Sequence, residues 1–185
     1  MSEYNFNTLF IQTTLPLEWA PLNEGEYLPA STELSNQNIL KIAMGLDEGA
    51  HEAIDESAEI NHEVQRLEYK VNVILELVAQ LVSRDTELPN AIEIKLSADA
   101  LEWSCTTTPP VFGQTILVKI YLDSRFPTPL ILSGEVVSVV QTKNCHRVVL
   151  DLTANDELTH ELFEKYIFRC HRRQIASLKS KKSTK

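Results

Sequence analysis

Cys145 beside His146 is the closest this 185-residue chain comes to a catalytic pair, half of a thiol nucleophile and its base. Neighbours on a strand point to opposite faces, so the two cannot act on each other there. His160 followed by Glu161 begins the helical signature of a zinc protease, but the position that needs a second histidine holds Glu164. The five histidines (His51, His62, His146, His160 and His171) form no HExxH and read as surface or structural groups. The three cysteines (Cys105, Cys145 and Cys170) are odd in number, far apart and without a CxxC pair, so they read as reduced thiols rather than a zinc or redox motif. With five glycines in all, the chain has neither a GxGxxG nor a GxxxxGK(S/T) loop to cradle phosphate. Trp103, Phe112 and Tyr121 fall in strand-like runs and are expected in a core rather than on a base-stacking platform. These features point away from an enzyme and from a cofactor or metal.

Composition and charge narrow the class. Hydrophobic residues make up 43% of the chain, enough for a buried core. No run approaches the ~18 apolar residues of a membrane span. Met1, Ser2, Glu3 and Tyr4 lack the basic and apolar regions of a signal peptide, so a cytoplasmic protein is expected. The net charge of −9 is uneven, because Arg169, Arg172, Arg173, Lys179, Lys181, Lys182 and Lys185 form a basic end with no acid among them. Such an end can touch phosphates or an acidic partner, but it reads first as a solvated tail over 177–185. The acidic body argues against nucleic acid as the partner.

These side chains need a scaffold. Residues 1–36 combine a β-like run, Leu9–Thr14, with Pro16, Pro21 and Pro29, so no long helix fits there. From 37 to 84 a stripe recurs at alternating steps of four and three, apolar at twelve of its thirteen positions: Ile39, Ala43, Leu46, Ala50, Ala53, Ser57, Ile60, Val64, Leu67, Val71, Ile74, Val78 and Leu81. A 3.5-residue repeat keeps one stripe facing a partner along a helix about 65 Å long, too long for one small domain to cover. Calling Ile39 a d position puts Val64, Val71 and Val78 at a, and Ile60, Leu67, Ile74 and Leu81 at d. Isoleucine at d and the flanking Ile42, Ile54, Leu75, Leu77 and Val82 widen the face, which favours a trimer, a tetramer or an antiparallel arrangement over a parallel dimer. The alternative is an amphipathic helix, or a hairpin broken at Gly45 or Gly49, packed on its own domain, chiefly in the weaker first half.

Asp85, Pro89 and Asn90 stop the helical pattern, and a β-rich region over 90–176 follows. Ala91–Leu96, Ala100–Cys105, Gln114–Leu122, Leu130–Val140 and His146–Leu152 read as strands, the last two as a hairpin. With Leu9–Thr14 as a candidate sixth, they suggest a small antiparallel barrel or sandwich. Asn155 is the expected N-cap of a final helix whose apolar face is Leu158, Leu162, Phe163, Tyr166, Ile167 and Cys170, acidic early and basic late. The class is α+β: a barrel of about six strands, a long coiled-coil helix before it and a helix after it.

Residues 91–176 resemble the PilZ family, small six-stranded barrels known as receptors for the bacterial second messenger cyclic di-GMP. The carriers are Ile94–Ser97 with Ala100–Trp103, Val111–Val118, Leu130–Val137 and Phe163–Arg173. The family's site uses an RxxxR loop before the barrel, whose guanidinium forks hold phosphate and stack on guanine, and a (D/N)xSxxG turn at the end of a strand. Here the turn is Lys95, Ser97 and Ala100, so the serine is kept and the other two positions are changed. Ser83–Asn90 holds only Arg84, beside Asp85 and Glu87, and the single RxxxR spacing, Arg169 and Arg173, lies on the last helix and reads as coincidence.

The resemblance therefore implies an atypical PilZ protein that keeps the barrel and lacks the usual nucleotide site. Family members with long heptad helices are tetrameric, which makes a homotetramer joined through Ile60, Val64, Leu67, Val71, Ile74, Val78 and Leu81 the favoured assembly. An oligomeric adaptor with an unidentified protein partner is the leading reading. A cyclic di-GMP receptor with a rearranged site and a structural coiled-coil protein are the alternatives.

Overall fold

The computed structural model describes residues 9–23, 28–48, 67, 70, 71, 74, 78, 87–123, 128–142, 145–152 and 156–183. Six strands, β1 (Phe10–Pro21), β2 (Ala91–Ser97), β3 (Ala100–Cys105), β4 (Thr115–Ile120), β5 (Leu130–Gln141) and β6 (His146–Asp151), close into a barrel in the order β1-β2-β3-β6-β5-β4. All neighbours are antiparallel. The expected β-rich region is thus a closed barrel, and the N-terminal run is its sixth strand.

β1 runs well past Thr14, through two prolines that read as breakers. Its first part, Phe10–Pro16, pairs with β2, and Leu17–Pro21 pairs with β4, so this strand closes the barrel. Pro16 stands where the partner changes, and its carbonyl accepts the N–H of Tyr121 at 3.1 Å. A proline without an N–H is tolerated at such a point, where a regular ladder bond is not required. Burial alternates along the strand, with Ile11 and Leu17 inward and Gln12 and Thr14 outward, the period of two that a barrel wall demands.

The interior is filled by Ile94, Leu96, Leu101, Trp103, Ile116, Val118, Ile120, Leu130, Leu132, Val136, Val148 and Leu150. Trp103 and Tyr121 are buried as expected. Phe112 is not: it is 71% exposed, on the turn with Gly113, whose φ of 78° suits glycine. The apolar run into β4 starts at a turn there, and the strand proper begins only at Thr115.

Two helices cover the barrel. The first, α1 (Ala30–Glu48), begins inside the segment where the prolines argued against a long helix; Pro29 immediately precedes it, and its carbonyl accepts the N–H of Thr32. Asn36, Leu40 and Met44 are its buried positions, while Ile39 and Ala43, the start of the heptad stripe, are half-buried. This part of the stripe packs within its own chain. The Asn36 amide donates to the carbonyl of Ile131 at 2.6 Å and accepts its N–H at 2.9 Å. β6 pairs with β5 only from Glu135 onward, so Asn36 satisfies backbone groups of β5 ahead of the stretch that β6 covers.

The second helix, α2 (Glu157–Ser183), packs on α1, β1 and β2 through Phe163, Tyr166 and Ile167. Its cap is Asp156, whose Oδ1 accepts the N–H groups of Leu158 (2.9 Å) and Thr159 (3.2 Å). The expected cap, Asn155, lies outside the described residues. α2 continues to Ser183, into the expected basic tail. No described helix is long and apolar enough to cross a membrane.

Candidate functional site

Ser97 ends β2 and is fully buried, and the reason is a tight turn into β3. Its hydroxyl accepts the N–H of Ala100 at 2.9 Å and donates to the Ala100 carbonyl at 3.2 Å. Ala98 and Ala100 are buried with it. Lys95, two residues earlier and therefore on the same side of the strand by alternation, places its ammonium 4.2 Å from the centre of the Phe10 ring on β1. The three positions foreseen as a ligand turn are thus brought together, but Ser97 and Ala100 are joined to each other and Lys95 sits on an aromatic face.

Asp99, inside the same turn, was not foreseen. Its carbonyl accepts the N–H of Leu152 at 2.7 Å, and its carboxylate lies 2.9 Å from Nε2 of His160 on α2. The turn is thereby tied to both the end of β6 and the lid helix. His171 makes a second tie, with Nδ1 3.0 Å from the Phe10 carbonyl. Both histidines thus tie α2 to the barrel, while the Nδ1 of His146 has no hydrogen-bond partner among the described residues. No periodicity marks the Asp99–His160 pair, since the residues stand 61 positions apart.

A groove of about 310 Å³ opens beside this turn, lined by Leu9, Ala98, Glu164, Lys165, Ile167 and Phe168. Lys165 is paired with Glu161 at 2.7 Å, which lowers the Glu161 pKa through that hydrogen bond first and the opposite charge second. Arg169 and Arg173 do not line it. Arg169 donates to the Met44 carbonyl of α1 at 3.4 Å, and Arg173 to the sulfur of Cys170 at 3.3 Å, so the pair serves helix contacts. Cys145 is held by Thr142, whose hydroxyl donates to its carbonyl at 2.7 Å. Among the described residues no group of three His, Cys, Asp or Glu is placed to hold a metal ion.

Of the foreseen interface positions, Leu67, Val71, Ile74 and Val78 are helical and 63%, 47%, 58% and 50% exposed on the single chain. Lys70 between them is helical and exposed as well. Ile60, Val64 and Leu81 lie outside the described residues.

A family model described as an atypical PilZ domain, cyclic di-GMP receptor, matches residues 39–180. No curated protein matches the chain. Among solved structures the fold is similar to that of a pathogenic protein from Xanthomonas campestris, described as a tetrameric PilZ domain self-assembled via an unusual helical bundle. The two agree with a TM-score of 0.73 at 20% sequence identity, over 93% of each chain.

Proposed function

The chain belongs to the atypical PilZ domain family, and on that premise we propose that it is a non-catalytic, homo-oligomeric adaptor of cyclic di-GMP signalling that acts through a protein partner and has lost the usual nucleotide site. The observation that carries this reading is the Ser97–Ala100 turn. A serine that contacts a ligand must offer its hydroxyl outward, whereas this one is fully buried, with its proton and one lone pair used inside the turn. Lysine and alanine at 95 and 100 remove the acid or amide and the close backbone approach, and Asp85 and Glu87 stand where phosphate-binding arginines would be needed.

Self-association rests on the exposed Leu67, Val71, Ile74 and Val78, spaced four, three and four apart. Four apolar side chains about half exposed on one stripe are costly to leave in water and suit a helix seam between copies. The helical bundle of the Xanthomonas campestris protein makes four the favoured number of copies. Cys105, Cys145 and Cys170 form no disulfide, which fits a reducing, cytoplasmic setting.

A second reading, a receptor with a rearranged nucleotide site, is favoured by the groove beside Ala98. Light scattering combined with calorimetric titration of cyclic di-GMP separates the two. The adaptor reading expects a tetramer mass before nucleotide is added and no binding heat. Tight binding refutes the loss of the site, and a monomer at micromolar concentration refutes the assembly.

A further inference from the structure

The outward face of α2 carries chemistry that neither the barrel nor the helix seam uses. Phe168 is 53% exposed, and Arg172, one turn on, places its guanidinium 5.9 Å from the centre of that ring. Ile175 follows, also exposed, so Phe168, Arg172 and Ile175 share one face by their spacing. In the sequence Lys179 and Lys182 continue the same steps of four and three. The start of β1 lies along this helix, held by His171 on the Phe10 carbonyl and by Gln174 Nε2 on the Gln12 carbonyl at 2.9 Å. Leu9 and Phe10 therefore add two more exposed apolar side chains, the second beneath Lys95.

We propose that the groove between α2 and the start of β1 docks an acidic segment of a partner protein, anchored by a large apolar side chain entering between Leu9 and Phe168. The inference rests on the adaptor reading and names the chemistry of its partner. The groove has a polarity: Glu161 and Glu164 lie towards the start of α2, and from Arg169 to its end the helix carries only basic charge. The partner's carboxylates accordingly run towards Arg172 while its apolar anchor fills the pocket. A cation held over an aromatic ring is partly desolvated already, and Arg–aromatic pairs beside a pocket are the usual composition of an interface hot spot. An anionic bilayer has the charge but no use for a concave pocket, and a nucleic acid has no use for Leu9 and Ile175, so a protein segment is the occupant.

The test selects peptides from a random display library on the full-length chain, then measures their binding by fluorescence anisotropy. Phosphatidylglycerol vesicles and a single-stranded oligonucleotide are run alongside. Enriched peptides should combine aspartate or glutamate with leucine or an aromatic residue. Their affinity should fall at least about tenfold, the size of one hot-spot contact, for Phe168→Glu and for Arg172→Glu. Both residues are exposed, so the variants should keep the wild-type circular dichroism. Val71→Asp, in the helix seam, should leave peptide affinity per chain unchanged. Enrichment of basic peptides, no enrichment, affinity indifferent to Phe168, or binding of the vesicles or oligonucleotide in place of peptides overturns the proposal. Cyclic di-GMP binding that leaves peptide affinity intact would instead overturn only the lost-site reading.

Discussion

The hydroxyl of Ser97 and the backbone of Ala100 satisfy each other at 2.9 and 3.2 Å, inside a turn that water does not reach. Ser97→Ala strands the Ala100 N–H in that turn, and an unsatisfied buried donor costs about 1–3 kcal/mol. Urea denaturation should show the loss of stability. On the proposed loss of the nucleotide site, a calorimetric titration with cyclic di-GMP should be equally flat for the wild type and the variant.

Asn36 makes a larger contribution, since its one amide satisfies both the N–H and the carbonyl of Ile131. Asn36→Leu keeps the helix and the apolar packing but leaves two backbone groups unpaired, a cost of about 2–4 kcal/mol if each is worth ~1–2 kcal/mol. Amide hydrogen exchange at Ile131 should accelerate in the variant more than at Leu132, whose N–H lies on the other side of the strand. Equal acceleration at both would mean global loosening and would refute the local role.

Five strands are legible in the sequence: β2, β3 and β4 carry the two-residue alternation of a wall with one buried face, whereas β5 and β6 stand out as apolar runs bounded by turn residues, each with three successive buried positions. β1 is legible only to Thr14, since Pro16 and Pro21 look like terminators until the barrel's closure shows that the strand changes partner at the first of them. α1 is harder still. Its buried positions, Asn36, Leu40 and Met44, form a narrow line with a polar member, while the more conspicuous Ile39, Ala43 and Leu46 merge into the heptad stripe; the choice between the lines is made by the barrel and α2, which no local pattern reports. The same limit governs the site. The positions Lys95, Ser97 and Ala100 are found through the resemblance to the PilZ turn, but what they do depends on Phe10 and the turn geometry, and Asn36 meets Ile131 across 95 residues.

The proposed seam positions allow assembly to be tested apart from folding. Val71 and Ile74 are exposed on the single chain, so Val71→Asp with Ile74→Asp removes no described packing within it. Light scattering should show a smaller particle, while near-ultraviolet circular dichroism, which reports on packed aromatics such as Trp103, Tyr121 and Tyr166, should be unchanged. A variant of undiminished mass would refute the seam.

Asp156 gives the lid helix a pH dependence of known sign. Thr159 first, and with it the backbone N–H groups of Thr159 and Leu158 that Oδ1 accepts, hold the Asp156 pKa below the ordinary 3.8. A carboxylate with a depressed folded pKa contributes stability that is present above its unfolded pKa and is lost as pH falls through the folded value. Asp156→Ala should cost about 1 kcal/mol at neutral pH, the usual worth of an N-cap. The stability difference from wild type should shrink as pH falls below the unfolded pKa of 3.8 and level off once the folded carboxyl is protonated, when its charge is gone but its carbonyl oxygen still accepts. A difference constant over that range would mean that the charge takes no part in the cap.

Gly134 is the point at which β5 and β6 approach too closely for any side chain. A Cβ built there would stand 2.1 Å from the Asp151 carbonyl oxygen and 2.9 Å from the Leu150 side chain. The first neighbour is backbone, which cannot rotate aside, so Gly134→Ala must push the two strands apart where Glu135 pairs with Asp151 and where the register shifts between Val136 and Ser138. Asp151 also borders Leu152, whose N–H reaches the Asp99 carbonyl, so the displacement is passed to the Ser97–Ala100 turn and the His160 tie. Overpacking of this kind costs about 1–3 kcal/mol, and here it falls at the upper end because backbone must move. Thermal unfolding should show the loss, and the histidine side-chain resonances of His160 should shift while those of His171, on the far part of α2, stay in place. A glycine-to-alanine change that left both stability and His160 untouched would show that the strands have slack the close approach denies.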